Sequence, residues 1–448
     1  MKKCTETGKA MNGKTAKEKA VRMLRAMIAD ENAWYKKVVP QKLRRMISNP
    51  LADRIAAGRN KRPLEKKPKR YRPGKYPPGI NLYGLLKSEI GLAQGAKLYA
   101  KALEAGNIPH TLLNVDYFDD LPQEDATFDD RLTTENRYAI NLAHINPPEW
   151  RAVMGRFPQE QFDGHYNIGI FQWELETVPD EWVPMFDYVD EVWTPSAFTA
   201  RTMSKVTKKP VIPVLYGMEA PFDETLTRGD FGLSDEDFLV LMMFDSKSFA
   251  SRKNPGGAID AFREAFGEKA EHVKLVIKIN NPKEEDIAFV EEHLGGAEYV
   301  MITERMDKPR LNSLIRLCDV FISLHRAEGF GLVMAEAMML GTPAVATDWS
   351  ANTEFMSAES ACMVGCRLVS VDGAYHYTDG KMMWADPDVH QAAEYLKRLR
   401  EDPEYHRQKA EAGKRYVEEC LSMEKCAEAI RARMNEILGG KRQWTSGR

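Results

Sequence analysis

Two glutamates, Glu328 and Glu336, stand eight positions apart in the segment His325-Arg-Ala-Glu-Gly-Phe-Gly-Leu-Val-Met-Ala-Glu336. Each carboxylate can accept paired hydrogen bonds from a vicinal diol. Between them Gly329 and Gly331 let a ligand approach the backbone closely, and a helix opening there presents the free N–H groups of Phe330, Gly331, Leu332 and Val333 to a pyrophosphate. A molecule with diols at both ends and a diphosphate in the middle meets all three features, and a nucleotide sugar is such a molecule. The plainer alternative is a helix start whose acidic residues only satisfy its dipole.

The elements that must hold this segment are readable around it. The apolar run Val320–Leu324 precedes it and reads as a buried strand, so the segment falls at the carboxyl end of a strand, where open α/β sheets bind ligands. Similar runs occur at Ile80–Gly84, Thr111–Val115, Tyr138–Ile145, Tyr166–Gln172, Glu191–Thr194 and Val211–Tyr216. A second series comprises Phe238–Phe244, Val273–Ile279, Tyr299–Thr303 and Pro343–Thr347, with helical periodicity at Pro255–Phe266, Glu284–Leu294, Arg310–Leu317 and Leu332–Leu340. Continuous apolar strands alternating with amphipathic helices predict parallel sheets covered on both faces. Two doubly wound, Rossmann-like domains facing a cleft follow, over 80–216 and 217–405, with helices in 406–448 returning to the first of them.

His325-Arg-Ala-Glu-Gly-Phe-Gly-Leu-Val-Met-Ala-Glu-Ala-Met-Met-Leu-Gly-Thr-Pro-Ala-Val-Ala-Thr347 resembles the signature of the retaining glycosyltransferases of family four, which have the α/β GT-B fold. The resemblance spans roughly residues 80–435. It includes the segment Asp190–Met203, similar to the end of the family's first domain, and Ala250–Phe266, similar to the first crossover of its second. It implies that Glu328 contacts the donor sugar, Glu336 the ribose hydroxyls, Gly329 to Val333 the phosphates, and Lys253 the diphosphate. Ser248 stands where the family has an arginine five positions before that lysine, which leaves Lys247 or Arg252 to replace it. Arg305 and Met306 fall where the family's backbone holds the base.

In the first domain, Gly84–Gly95 resembles the family's glycine-containing loop at the diphosphate and acceptor, with Gly91 its best position, although a plain strand-to-helix turn reads the same way. His144 is at a strand end where related enzymes often place a histidine near the reacting carbon, so Glu328, Lys253 and His144 form the catalytic set. A hydrogen-bonded core histidine is the alternative at position 144. Trp173 and Glu174 end the next strand and could touch the acceptor or pack inside. Asp235-Glu-Asp237 looks like an Asp-x-Asp metal site but lies in a turn before a strand, so neither a metal nor another cofactor is expected. Lys253 and a helix dipole can stabilise a departing nucleoside diphosphate instead.

The 448 residues are 43% hydrophobic and 29% charged, which excludes a wholly disordered chain. The net charge of −3 hides an asymmetry: residues 1–79 hold 23 Lys and Arg against six Asp and Glu, a net of +17, and the rest 40 against 60, a net of −20. Residues 15–48 read as an amphipathic helix marked by Val21, Leu24, Met27 and Ile28, followed by Trp34 and Tyr35 and by a proline-rich linker that ends at Gly79. This helical basic extension suits an anionic membrane surface, or serves as a solubilising tail; no nucleic-acid partner is expected. No run reaches the ~20 apolar residues of a membrane span, and the six cysteines lack zinc spacing. The expectation is a cytoplasmic enzyme, peripheral on the inner face of the cytoplasmic membrane. It would move a hexose, mannose from GDP being favoured, from a nucleotide-sugar donor to a glycan or lipid-linked glycan acceptor with retention. A sugar-phosphate synthase or phosphorylase on the same fold, or a non-catalytic nucleotide-sugar-binding scaffold, are the alternatives.

Overall fold

The structure is a computed structural model and describes residues 66–116, 123–268, 270–371, 375 and 382–439. The amphipathic segment 15–48, with Trp34 and Tyr35, lies outside them. Lys66–Val153 and Phe157–Arg448 form one compact unit.

The first sheet is built from β1 (Ile80–Gly84), α1 (Gly91–Ala105), β2 (His110–Asn114), β3 (Ile140–Ala143), α2 (Pro147–Met154), β4 (Tyr166–Ile170), β5 (Glu191–Thr194), α3 (Ala197–Ser204) and β6 (Val211–Pro213). Its strands run parallel in the order β2-β1-β3-β4-β5-β6. Every residue of β1, β3 and β5 is buried, the signature of a sheet covered on both faces. Register across three strands is fixed by a ladder of buried asparagines: Asn81 Nδ2 donates to Asn141 Oδ1 at 2.9 Å and Asn141 Nδ2 to Asn167 Oδ1 at 2.8 Å. A one-residue slip would turn these amides to the other face and orphan them.

The second sheet holds β7 (Phe238–Asp245), β8 (Val273–Asn280), β9 (Tyr299–Ile302), β10 (Val320–Ser323), β11 (Ala344–Thr347) and β12 (Cys362–Val364) in the order β12-β11-β10-β7-β8-β9. Its pairings are parallel. Its helices are α4 (Ala250–Lys253), α5 (Pro255–Phe266), α6 (Glu284–Leu294), α7 (Lys308–Leu317) and α8 (Leu332–Met339). An antiparallel hairpin, β13 (Cys366–Ser370) and β14 (Met383–Pro387), is followed by α9 (Val389–Glu401), α10 (Pro403–Cys420) and α11 (Met423–Ile437). The starts are chemically marked: Asn254 caps α5 ahead of Pro255, and Asp307, Asp388, Asp402 and Ser422 cap α7, α9, α10 and α11.

α11 returns to the first sheet. Ala427 lies where a Cβ on Gly106 would fall, at the end of α1. Arg433 reaches the fully buried Glu191 of β5 with both ends of its fork, at 2.9 and 2.6 Å. Tyr166 Oη and Trp193 Nε1 donate to the same carboxylate.

One sequence expectation changes here. The described part of the stretch up to Gly79 is a strap across the amino ends of the first sheet and does not behave as a linker. Arg72 N donates to Gly164 O at 3.0 Å, Gly164 N to Lys69 O at 3.1 Å and Ala139 N to Pro77 O at 2.9 Å. Tyr76 stacks on His165 and Tyr71 meets Tyr166 edge-on. Proline richness misled because prolines withhold N–H donors while their carbonyls still accept.

Candidate functional site

The carboxyl ends of both sheets converge where β10 runs into the segment 325–331 and on to α8. Gly331 opens α8 with φ +100°, a conformation that favours glycine, and the helix start carries neither a side-chain cap nor an acidic residue in its first turn. The positive end of its N–H groups is therefore left uncompensated by the usual side chains. Gly329 lies against the first domain: Ser196 Oγ donates to Gly329 O at 3.1 Å, and a Cβ there would stand 3.4 Å from Trp173 O.

Glu328 is 7% exposed. Its Oε1 pairs closely with Lys253 Nζ, and its Oε2 lies 3.2 Å from Arg252 Nη1. Burial alone would raise its pKa, but the Lys253 and Arg252 cations, with His325 behind them, outweigh burial and hold the carboxyl at about 2. Burial draws the Lys253 ammonium below the usual lysine range, against the opposing pull of Glu328. The backbone around Glu328 is locked by the loop after β11: Glu328 N donates to Ser350 Oγ at 2.9 Å, and Ala351 N to Glu328 O at 3.3 Å. Ser350 holds φ +77°, which costs a non-glycine residue strain, and so aims its hydroxyl at that N–H.

Glu336 is on α8, 1% exposed, with Oε1 2.6 Å from Lys308 Nζ. Its Oε2 is buried with no hydrogen-bond partner among the described residues. A buried carboxylate oxygen left unpaired costs free energy, and a ligand hydroxyl would satisfy it. Lys308, which the sequence reading passed over, neutralises this carboxylate from the start of α7.

The remaining expected residues are placed as follows. A small pocket beside Lys253 is lined by Phe244, Pro255, Ser323 and Leu324. Ser248 O accepts from Arg252 Nη2 at 3.3 Å, and Lys247 is exposed. Met306 packs against the core, while Arg305 crosses to the first domain and pairs with Glu89 and Glu124. Gly91 begins α1, whose N-cap Ile90 supplies no side-chain bond, and a Cβ at Gly91 would meet nothing within 4 Å. Phe330 packs edge-on against Tyr216 at 4.9 Å.

His144 has the packing of a hydrogen-bonded buried histidine. It is fully buried, its Nε2 lies 2.9 Å from Tyr216 Oη and 3.2 Å from Gln172 Nε2, and a Cβ at Gly95 of α1 would overlap it. Burial pushes its pKa down to about 3, so it is neutral near pH 7. The structure brings it to Tyr216, one ring away from Phe330, and not to Glu328 or Lys253. A strand-end histidine cannot reveal from sequence which way its ring turns.

Asp235-Glu-Asp237 is at the amino end of β7, with Asp237 3.0 Å from Lys274 Nζ. Among the described residues, no cluster of three or more His, Cys, Asp and Glu side chains is arranged to hold a metal, and no helix is long and apolar enough to cross a membrane.

Comparison with known proteins meets this geometry. Residues 224–416, which include Lys253, Glu328 and Glu336, match the family model described as glycosyl transferases group 1. No curated protein sequence matches the chain. Among solved structures, the chain is similar to a sucrose-phosphate synthase from Thermosynechococcus elongatus, with TM-score 0.59, 14% identity, and coverage of 82% of this chain and 100% of that one. It is also similar to a glycosyltransferase from Rickettsia africae, with TM-score 0.59, 13% identity, and coverage of 82% and 100%. Anabaena HepE in complex with UDP and glucose follows, with TM-score 0.54, 15% identity, and coverage of 80% and 100%. Residues 224–416 are thus similar to the group 1 glycosyltransferases, and the two parallel six-stranded sheets have the GT-B fold of the solved structures the chain resembles.

Proposed function

We propose that the chain transfers a hexose from a nucleotide-sugar donor to a glycan or lipid-linked glycan acceptor, with retention of anomeric configuration, in polysaccharide biosynthesis. The observation that carries the donor reading is Glu336, whose buried Oε2 has no hydrogen-bond partner among the described residues and stands on α8, a helix with an uncapped start. A ribose diol satisfies that oxygen while the diphosphate meets the helix N–H groups and Lys253. Glu328, kept ionised by its two cations, faces the sugar end. No side chain of the set is an evident covalent nucleophile, so the leaving phosphate deprotonates the acceptor on the same face and the protein orients the reactants. Mannose on GDP is the favoured donor, and the relative crystallised with UDP and glucose puts UDP-glucose beside it in the panel.

The test is incubation with GDP-mannose, UDP-glucose, dTDP-glucose and ADP-glucose plus oligosaccharide acceptors, reading nucleotide release and the anomeric configuration of the product by NMR. An inverted product rejects the retaining mechanism; no transfer from any donor rejects the reading as a whole.

Glu336→Ala should weaken nucleoside diphosphate binding roughly 10- to 100-fold, since charge-assisted hydrogen bonds are worth about 1.5–3 kcal/mol each. Calorimetry on the folded variant checks this, and unchanged affinity places the ribose elsewhere. With Lys253 and the α8 dipole as the leaving-group stabilisers, no cation is needed. Turnover should survive excess EDTA, and a complete loss restored by magnesium would contradict the proposal.

The basic N-terminal extension is proposed to bind the inner face of the cytoplasmic membrane, at about 1 kcal/mol for each basic residue near the surface. The charge of residues 1–79 and the exposed Lys66, Arg70, Arg72 and Lys75 of the strap support it. The full chain should sediment with anionic but not neutral vesicles, weakly at high salt. A chain beginning at Lys66 should largely stay in solution, and equal sedimentation of the two removes residues 1–65 from the role.

A further inference from the structure

Arg252 is 8% exposed and surrounded by acceptors. Within its own domain it donates to Ala327 O at 2.8 Å and Ser248 O at 3.3 Å, and it pairs with Glu328 at 3.2 Å. Its remaining edge, Nε, lies 3.4 Å from Glu174 Oε1, which belongs to the first domain just beyond β4. The same Glu174 oxygen accepts a hydrogen bond from Tyr375 Oη. Two carboxylates, Glu174 and Glu328, thus balance two cations, Arg252 and Lys253, and one of the four comes from the opposite sheet.

We propose that Glu174 is a positioning residue: through Arg252 it fixes the placement and charge of the Glu328–Lys253 pair, so that the donor-contacting groups reach their working arrangement only with the first domain in place. This rests on the reading of Glu328 and Lys253 as donor contacts. Glu174 could instead be expected to bind the acceptor directly, but its Oε1 accepts from Tyr375 Oη and stands 3.4 Å from Arg252 Nε, which has no hydrogen-bond partner among the described residues, so the carboxylate meets the guanidinium as a charge. Arg252 in turn has its fork filled by Ala327 O, Ser248 O and Glu328, so it serves the carboxylates and leaves the diphosphate to Lys253 and α8. A guanidinium suits this bridge because its planar fork meets several acceptors in one fixed geometry, which an ammonium cannot do.

The charges facing Lys253 give the proposal a signature. Glu328 and, more distantly, Glu174 favour its ammonium, whereas Arg252 and burial oppose it. His325, buried behind Glu328, is the other titratable neighbour, and burial keeps it below the usual histidine range. Neutralising Glu174 removes one favouring charge, so Lys253 should lose its proton at lower pH. The site also becomes more positive by one unit, so a diphosphate should bind as tightly as before or tighter.

The experiment compares the full chain with Glu174→Gln, a near-isosteric change at a partly exposed side chain. Three readouts are taken: kcat and KM over pH, GDP and UDP affinity by calorimetry, and the pH midpoint of Lys253 acetylation by acetic anhydride, located by mass spectrometry. Expected are a kcat loss of about tenfold or more, nucleotide affinity that does not weaken, and both the alkaline limb of kcat and the Lys253 midpoint moved to lower pH. Unchanged kcat with an unchanged Lys253 midpoint overturns the proposal, as does a rise in acceptor KM alone, which makes Glu174 an acceptor ligand. If the unaltered chain turns over no nucleotide sugar, the glycosyltransferase reading falls; the Lys253 midpoint then decides the charge coupling alone, a downward shift supporting it and no shift overturning it. Should Glu174→Gln fail to fold, Tyr375→Phe leaves the charge but releases the carboxylate. A kcat loss at kept nucleotide affinity then supports the positioning role, and an unchanged kcat overturns it.

Discussion

Glu328→Gln should lower transfer by ~10²–10³-fold, the loss seen when one preorganised electrostatic contact to a transition state is removed. The amide keeps the shape and the Glu328 N to Ser350 Oγ bond, so the loop should hold, but it cannot balance Lys253 and Arg252. The same variant should show a stability change whose pH dependence has a fixed sign. The folded carboxyl sits at about 2, below its reference of 4.5, so its contribution is complete above pH 4.5 and fades as pH falls toward 2. Urea unfolding at pH 7 and across the acid limb checks this. The variant should be less stable at pH 7 and should lack the part of the acid slope that Glu328 supplies; equal stability at pH 7 would mean the two cations find other partners.

Arg433→Ala should cost about 3–5 kcal/mol, the usual result of stripping one partner from a buried ion pair. Glu191 is fully buried and receives both donors of the Arg433 fork, and only the neutral donors Tyr166 Oη and Trp193 Nε1 remain when the fork is gone. The alanine variant leaves a carboxylate in the sheet without a counter-charge. Arg433→Lys should recover part of the loss, since one ammonium replaces one arm of the fork. The urea midpoint is expected to fall, and limited proteolysis to cut nearer α11, because this pair ties that helix to β5. A midpoint within ~1 kcal/mol of the unaltered protein would show that α11 is held by its apolar stripe alone.

These two expectations draw on different depths of legibility. The strands were readable because parallel sheets covered on both faces leave continuous apolar runs, and Phe238–Asp245 and Val273–Asn280 stand within one residue of where their composition put them. The three-residue β12 and the hairpin of β13 and β14 were not read: Cys362–Val364 is too short for a periodicity, and β13 is largely exposed, so it lacks the apolar run. The placement of Glu328, Glu336 and Lys253 beside the carboxyl end of β10 was readable from one segment and one crossover. Their partners were not, since Arg252 meets Glu174 across two domains and Lys308 meets Glu336 from a neighbouring helix. The adjacency of Arg252 to Lys253 and the position of Glu174 at a strand end were the only available signals, and neither carries the direction of a side chain. His144 shows the same limit: its position at a strand end carried no sign of its packing against Tyr216 and α1.

The central claim is that a nucleoside diphosphate is held between the start of α8, Glu336 and Lys253. Calorimetric titration of the full chain with GDP, UDP, dTDP and ADP, repeated on Lys253→Ala, tests it most directly. One of the four should bind at one site per chain, and the alanine variant, still folded, should bind it about tenfold or more weakly, as expected for loss of a charge-assisted phosphate contact. Binding of none of the four, or binding that Lys253→Ala leaves untouched, would contradict it.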